Sequence, residues 1–289
     1  MRESSWRFKL LNKVADKPST ISVSASILAI IGGLLVGLIV MLFVSPGQAF
    51  VGFGTILTGM FRQGGLSIGN TIYYAVPIIL TGLSVAFAFR TGLFNIGASG
   101  QVTIGAFTAV FIGVHLSFTG AWVVAVLGAL IAGAVWGSIP GFLKAYRNVN
   151  EVVASIMLNY VAMYLNTMLI KALIYNQQYA RALAPSQNAR IPSWFLNNIF
   201  RGSQINVGIF IAIIVVIITH IILNKTTFGY ELKAVGFNKD ASKYAGMNEK
   251  RNIVLAMTIS GAIAGIAGAT LYLVGGKFLI PENHLMQEG

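Results

Sequence analysis

The chain has 289 residues, 56% of them hydrophobic and 10% charged, with a net charge of +12 and no cysteine. That balance excludes a water-soluble globular domain, and the missing cysteine excludes disulfides and thiolate-bound metal. Nor does the positive charge indicate nucleic acid. The basic residues are shared out among the segments between apolar runs, which is a pattern of membrane topology.

Residues 1–20 are polar, carry Arg2, Arg7, Lys9, Lys13 and Lys17 against Glu3 and Asp16, and are expected to form a tail. Apolar runs then follow at about 24–44, 71–89, 101–116, 121–139, 152–171, 206–223 and 253–274. A membrane span needs ~20 apolar residues, so the run at 101–116 borrows from the segment before it. The first run is too long for the apolar part of a signal peptide and is taken as a retained span. These runs predict an all-α fold, a polytopic transmembrane helix bundle with residues 21–289 as a single membrane domain.

Charge sets the expected orientation. With the N-terminus in the cytoplasm, the tail, Arg90, Lys144, Arg147 and the six basic residues from Lys225 to Arg251 lie inside. The outside then receives Arg62, Lys171, Arg181, Arg190, Arg201 and Lys277, and the inward excess fits a multi-pass plasma-membrane protein. The long outer loop at 172–205 contains no acid, and none occurs between Glu151 and Glu231. Arg62, Arg181, Arg190 and Arg201 therefore either dock an acidic partner by charge complementarity or face solvent and lipid phosphate. Glycines four apart (Gly33 and Gly37, Gly133 and Gly137, Gly261 and Gly265) read as close helix packing.

Two stretches interrupt the apolar pattern. Residues 90–105, RTGLFNIGASGQVTIG, place four glycines among Asn95, Ser99 and Gln101. Non-helical backbone at membrane depth is tolerated where it is buried in protein or lines a cavity, so a partly re-entrant, glycine-rich helix break is expected. A plain turn between two spans is the other reading. The second stretch, residues 228–252, is strongly basic. Within it Phe237, Ala241, Tyr244 and Ala245 fall on one face of a short helix, Asn238 can cap its start, and Gly246 can close it. About two turns are too short to be stable alone in water, so this helix needs a surface to dock on.

The 233–248 segment resembles the coupling helix of permeases of ABC transporters, with Lys233-Ala234-Val235-Gly236-Phe237-Asn238, Ala241 and Tyr244-Ala245-Gly246-Met247-Asn248 in place and Ser242 and Met247 as departures. Phe94-Asn95-Ile96-Gly97-Ala98-Ser99-Gly100-Gln101 is similar to the F-N-I-G-x-E-G-Q signature of permeases for ribose-type sugars, nucleosides and branched-chain amino acids, with Ser99 where the glutamate usually stands. Residues Asn150 to Tyr160, NEVVASIMLNY, are similar to the signature of the nucleoside branch, whose partner is a basic-membrane-protein-type lipoprotein.

The resemblance implies an importer permease subunit that is not itself an enzyme and needs no cofactor. It also implies separate ABC ATPase subunits, a second permease subunit, homologous or identical, an external substrate-binding lipoprotein, and a nucleoside or simple sugar as solute. Gly236, Phe237, Asn238, Ala241, Lys243, Tyr244 and Gly246 are then the expected coupling residues. Asn95, Ser99, Gln101, Asn159, Tyr160 and Tyr164 are the expected solute pathway. Asn159 shares a helix face with Asn166, and Tyr160 with Tyr164. Tyrosine rings offer nucleobases a stacking surface, while such polar residues equally serve as hydrogen bonds between helices. Relatives of this family continue into further spans past Met286–Gly289, so a truncated chain is the expectation.

Other readings have fewer residues to stand on. No G-x-x-x-x-G-K-[ST] phosphate loop or H-E-x-x-H motif occurs, and the predicted spans hold no buried carboxylate for proton coupling. An ATP-independent small-solute channel stays open as the alternative, because glycine-rich breaks also build pores.

Overall fold

A computed structural model describes residues 18–281, with side chains from Ser24 onward. The polar segment at 1–17 and the final residues 282–289, including Met286–Gly289, lie outside the described residues. Helices dominate: α1 (Pro18–Val44), α2 (Ala49–Thr58), α3 (Gly65–Phe89), α4 (Ala98–His115), α5 (Ala121–Arg147), α6 (Glu151–Leu173), α7 (Leu196–Ile199), α8 (Gly208–Lys225), α9 (Thr227–Phe237), α10 (Lys239–Tyr244) and α11 (Glu249–Tyr272). Strands β1 (Tyr175–Asn176) and β2 (Arg181–Ala182) form a small antiparallel hairpin, with Tyr175 opposite Ala182 and Asn176 opposite Arg181.

Among the described residues seven helices (α1, α3, α4, α5, α6, α8 and α11) are long and apolar enough to cross a membrane. They match the seven expected runs, with their ends moved by local chemistry. Helix α5 continues beyond the apolar run that stops near 139, because Lys144 and Arg147 sit on its last turns until Asn148 enters the left-handed region at φ 53°. Helices α2 and α9, ten and eleven residues long, have no counterpart among the expected spans because neither is long enough to read as one.

The described residues pack as two compact units that divide between Gly64 and Gly65. In the first, α1 contacts α2, and the Arg62 guanidinium donates to Thr55 Oγ1 at 3.0 Å. In the second, α11 is the hub and packs against α5, α4 and α3. Its neighbours can come so close because the contact residues have no side chain to interpose. A Cβ on Gly133 would stand 2.7 Å from Gly265 Cα, and one on Gly137 would stand 2.6 Å from the Met257 carbonyl. Gly105 of α4 meets the other side of Gly265, where a Cβ would lie 2.6 Å from the carbonyl oxygen. Small residues permit this backbone contact where lipid supplies no hydrophobic drive between helices.

Antiparallel α3 is tied to α11 at two levels, by the Tyr73 hydroxyl donating to the Leu271 carbonyl at 2.5 Å and by Ser84 meeting Ser260. The loop from 174 to 207 is held to helix ends by main-chain bonds. Ala182 N donates to Leu279 O at 2.8 Å, Ser186 N to Gly113 O at 2.8 Å, and Ile191 N to Leu273 O at 2.8 Å. Its backbone groups thus find partners without forming a further long helix.

Candidate functional site

At the basic end of the bundle two short helices follow α8. Thr226 starts α9 by accepting a hydrogen bond from Gly229 N at 3.1 Å. Asn238, extended at φ −158°, breaks the chain direction and accepts from Ala241 N at 3.0 Å, which caps α10. Asp240 lies in the first turn of α10 and Lys243 in the last, the charge order a helix dipole favours. Gly246, at φ 82°, closes the turn in the left-handed conformation and donates to Lys243 O at 3.0 Å.

The packing of this segment differs from the expected single face. Gly236 and Phe237 belong to the end of α9, and of the residues of α10 it is Ser242 that is buried, its hydroxyl donating to Asn238 O at 2.8 Å. Phe237 and Tyr244 are 91% and 94% exposed, and Ala241 and Ala245 are exposed beside them. Among the described residues the aromatic pair has nothing to bury against.

Helix α9 is sunk into the bundle. Leu232 and Val235 pack with Phe87, Ala88, Leu93, Ile253 and Met257. Gly236 rests on the turn that follows α3. A Cβ there would be 2.5 Å from the Arg90 carbonyl and 3.1 Å from Gly92 N, and Gly92 itself has φ 72°. A backbone-to-backbone contact therefore joins α9 to the start of the glycine-rich break.

The break runs from Arg90 to Gly97, between α3 and α4, and buries Thr91, Leu93, Asn95 and Gly97 while Arg90, Gly92 and Phe94 stay exposed. Asn95 Nδ2 donates to Gln101 Oε1 at 2.9 Å and to Ser260 Oγ at 2.7 Å, while Gln101 Nε2 donates to Asn95 Oδ1 at 3.1 Å. Ser84 and Ser260 exchange hydroxyl-to-carbonyl bonds of 2.7 Å each. Ser260 lies about 16 Å along α11 from Glu249 at 1.5 Å per residue. The non-helical chain thus reaches half-way along the hub helix. From α6, Asn159 donates to Ile96 O at 3.1 Å and accepts from Gly100 N at 3.0 Å, clamping the end of the break where it enters α4.

The expected pathway residues therefore separate into two sets. Asn95, Gln101 and Asn159 come together, but their amides are taken up by hydrogen bonds that hold the break. Tyr160 and Tyr164 lie on the opposite, exposed side of α6 with Met157 and Met168, and Ser99 is exposed at the start of α4. Ser84 and Ser260 carry no signal of their own in the sequence, since a lone serine in an apolar run looks the same whether it packs or bonds.

At the opposite end the arginines occupy different settings. The Arg181 guanidinium lies 3.5 Å from the Phe278 ring centre and 4.9 Å from that of Tyr179, a cation–π stack that fastens the hairpin to the segment after α11. Arg190 lines a cavity of about 640 Å³ with Trp122, Trp194, Asn188 and Asn206. Arg201 is exposed, and Arg62 belongs to the first unit. Among the described residues no three His, Asp or Glu converge as a metal site.

The family model described as branched-chain amino acid transport system / permease component matches residues 67–286. The guanosine ABC transporter permease protein NupP of Bacillus subtilis (strain 168) is 42% identical over 251 residues, 84% of this chain and 70% of that protein. The nucleoside ABC transporter permease protein NupB of Lactococcus lactis subsp. cremoris is 37% identical, over 86% of this chain and 70% of its own length. The glucose ABC transporter permease protein TsgB13 of Haloferax volcanii is 31% identical, over 87% of this chain and 68% of its own. No solved structure matches the chain.

Proposed function

Because the chain belongs to the branched-chain amino acid transport system permease family, we propose that it passes a nucleoside, or else a simple sugar, through the plasma membrane as one subunit of an ABC importer. As a permease it is not itself an enzyme. ATP is hydrolysed by ATPase subunits, and a substrate-binding protein delivers the solute. Relatives named for guanosine and nucleosides at 42% and 37% identity put the nucleoside first, and one named for glucose at 31% puts sugar second.

The observation that carries the coupling role is the bare aromatic pair, Phe237 at the end of α9 and Tyr244 at the end of the capped six-residue α10, which no other described residue covers. We assign its dock to the ATPase subunit, with the N-terminus and this basic end on the cytoplasmic side in keeping with the charge bias. Asn238 and Gly246 hold the helix, Ala241 and Lys243 join its contact face, and Gly236 passes its displacement to the turn at Arg90–Gly92. From there Asn95 and Gln101 carry it to α11, and Asn159 carries it to α6. Rigid-body tilting of packed helices is an established route from such an input to alternating access.

In this reading Tyr160, Tyr164 and Ser99 face the solute between this chain and a second permease subunit, identical or homologous. Arg190 and Arg201 receive acidic side chains of an external binding lipoprotein, while Arg181, already stacked on Phe278, holds the outer loop. Reconstitution with the ATPase subunits and binding protein tests the proposal. Uptake of labelled guanosine that requires ATP hydrolysis is expected, with glucose slower; flux of either solute without ATP would instead support a channel.

A further inference from the structure

A second cavity, about 200 Å³ in volume, opens between α4, α6 and the end of α11, and its polar wall is made by Thr103, Asn166, Thr167 and Tyr272. Asn166 is only 9% exposed, and its side-chain oxygen is buried without a hydrogen-bond partner. Asn159, seven residues earlier on the same face, has both amide atoms engaged, so the open acceptor at Asn166 is not a general property of this helix. Buried polar atoms nearly always find a partner, and an acceptor left over in a cavity wall fits a ligand that brings a donor.

This cavity lies on the Asn159 side of α6 and so is separate from the Tyr160 and Tyr164 face. We infer that it is a second solute subsite that takes the hydroxylated ring of the transported molecule, with Asn166 accepting from a ring hydroxyl. The inference rests on the importer reading above. Three features select this ligand class. The cavity is smaller than the roughly 300–1,000 Å³ typical of sites for whole drug-sized ligands, so it suits one furanose or pyranose ring and not an entire nucleoside. Its lining holds no Lys, Arg, Asp or Glu, so the ammonium and carboxylate of a free amino acid would be buried there without counter-charges, at a high desolvation cost. Met163, Leu271 and Leu279 add apolar surface to the lining for the ring carbons.

Position links the subsite to the coupling route. Asn166 lies about 10 Å along α6 from the Asn159 clamp at 1.5 Å per residue. Thr103 and Ala106 of the cavity wall sit on α4, directly after the clamped break. A shift of the break relative to α6 therefore changes the spacing of the two walls that grip the ring.

The chain contains no cysteine, which allows a direct test in the complete reconstituted transporter. With Thr167→Cys, guanosine is expected to slow labelling by a small neutral thiol reagent. Free ribose and glucose, tried separately, show whether the ring needs its base or whether a hexose serves as well. In parallel, Asn166→Leu is expected to raise the KM for guanosine about tenfold, the scale of one hydrogen bond, and to narrow the preference over 2′-deoxyguanosine. Asn166→Gln, which keeps a neutral amide acceptor, should recover part of the affinity. Equal labelling of Thr167→Cys with and without solute, in a transporter that still takes guanosine up, would mean a solvent-filled cavity only and overturn the subsite. So would an unchanged KM in Asn166→Leu. Absence of ATP-dependent uptake by the unaltered protein overturns the importer reading, and the subsite with it.

Discussion

Helices α9 and α10 adjoin in sequence and are treated in opposite ways by the bundle. The first sinks Leu232 and Val235 among residues of α3 and α11 and sets Gly236 against the Arg90 carbonyl. The second buries Ser242 and leaves Tyr244 bare, as is Phe237 where the first helix ends. One is held by tertiary packing and the other by its caps at Asn238 and Gly246. In the coupling proposed above, the packed helix is the part fixed to the load and the capped helix the part left free to be gripped.

The largest effect should come from breaking the fixed end. Gly236→Pro removes a helix donor and pushes a side chain toward the Arg90 carbonyl, at ~3 kcal/mol or more. Uptake should vanish while the protein still reaches the membrane; normal uptake would mean α9 carries no load. Next, Phe237→Ala and Tyr244→Ala should each weaken association with the ATPase subunit by about 2 kcal/mol, as buried aromatic anchors do. The isolated permease should unfold as before, within ~0.5 kcal/mol. Loss of permease stability with association intact would reverse the roles assigned to the two helices.

Asn159→Leu tests the far end of the route. It leaves the Ile96 carbonyl and the Gly100 amide unpaired and should destabilise the permease by about 1–3 kcal/mol in denaturant unfolding. The smallest effect is expected from Asn238→Ala, about 1 kcal/mol for a lost cap. Hydrogen exchange should then quicken at Ala241–Tyr244 and stay slow at Leu232–Val235. Equal quickening in both helices would show that they open as one piece.

Features written in consecutive residues are legible in the sequence alone. Apolar run length marks the seven spanning helices, and the Asn238 and Gly246 pair marks the two ends of α10. Pairings across long sequence distances are not legible in this way. The signal for the 84–260 bond is two serines in apolar runs 176 residues apart, and nothing local says that they meet. The amide of Asn159 carries no mark separating a clamp on Ile96 and Gly100 from a wall of a solute path. Arg181 resembles the other outer arginines until the fold lays Phe278 over it. Gly236 is visible as a glycine; that it lies against the Arg90 carbonyl depends on the bundle.

The glycine at position 265 has main chain from two other helices pressed against it, at Ala129 and Gly133 on one side and at Gly105 on the other. Three lengths of backbone knotted at a single spot have no smooth surface along which to slip. Helices α4, α5 and α11 are therefore better described as one solid spindle than as three moving rods. In the proposed coupling, a pull on α9 and α10 would rock that spindle whole, with α6, tied to it at Asn159, as the panel that swings.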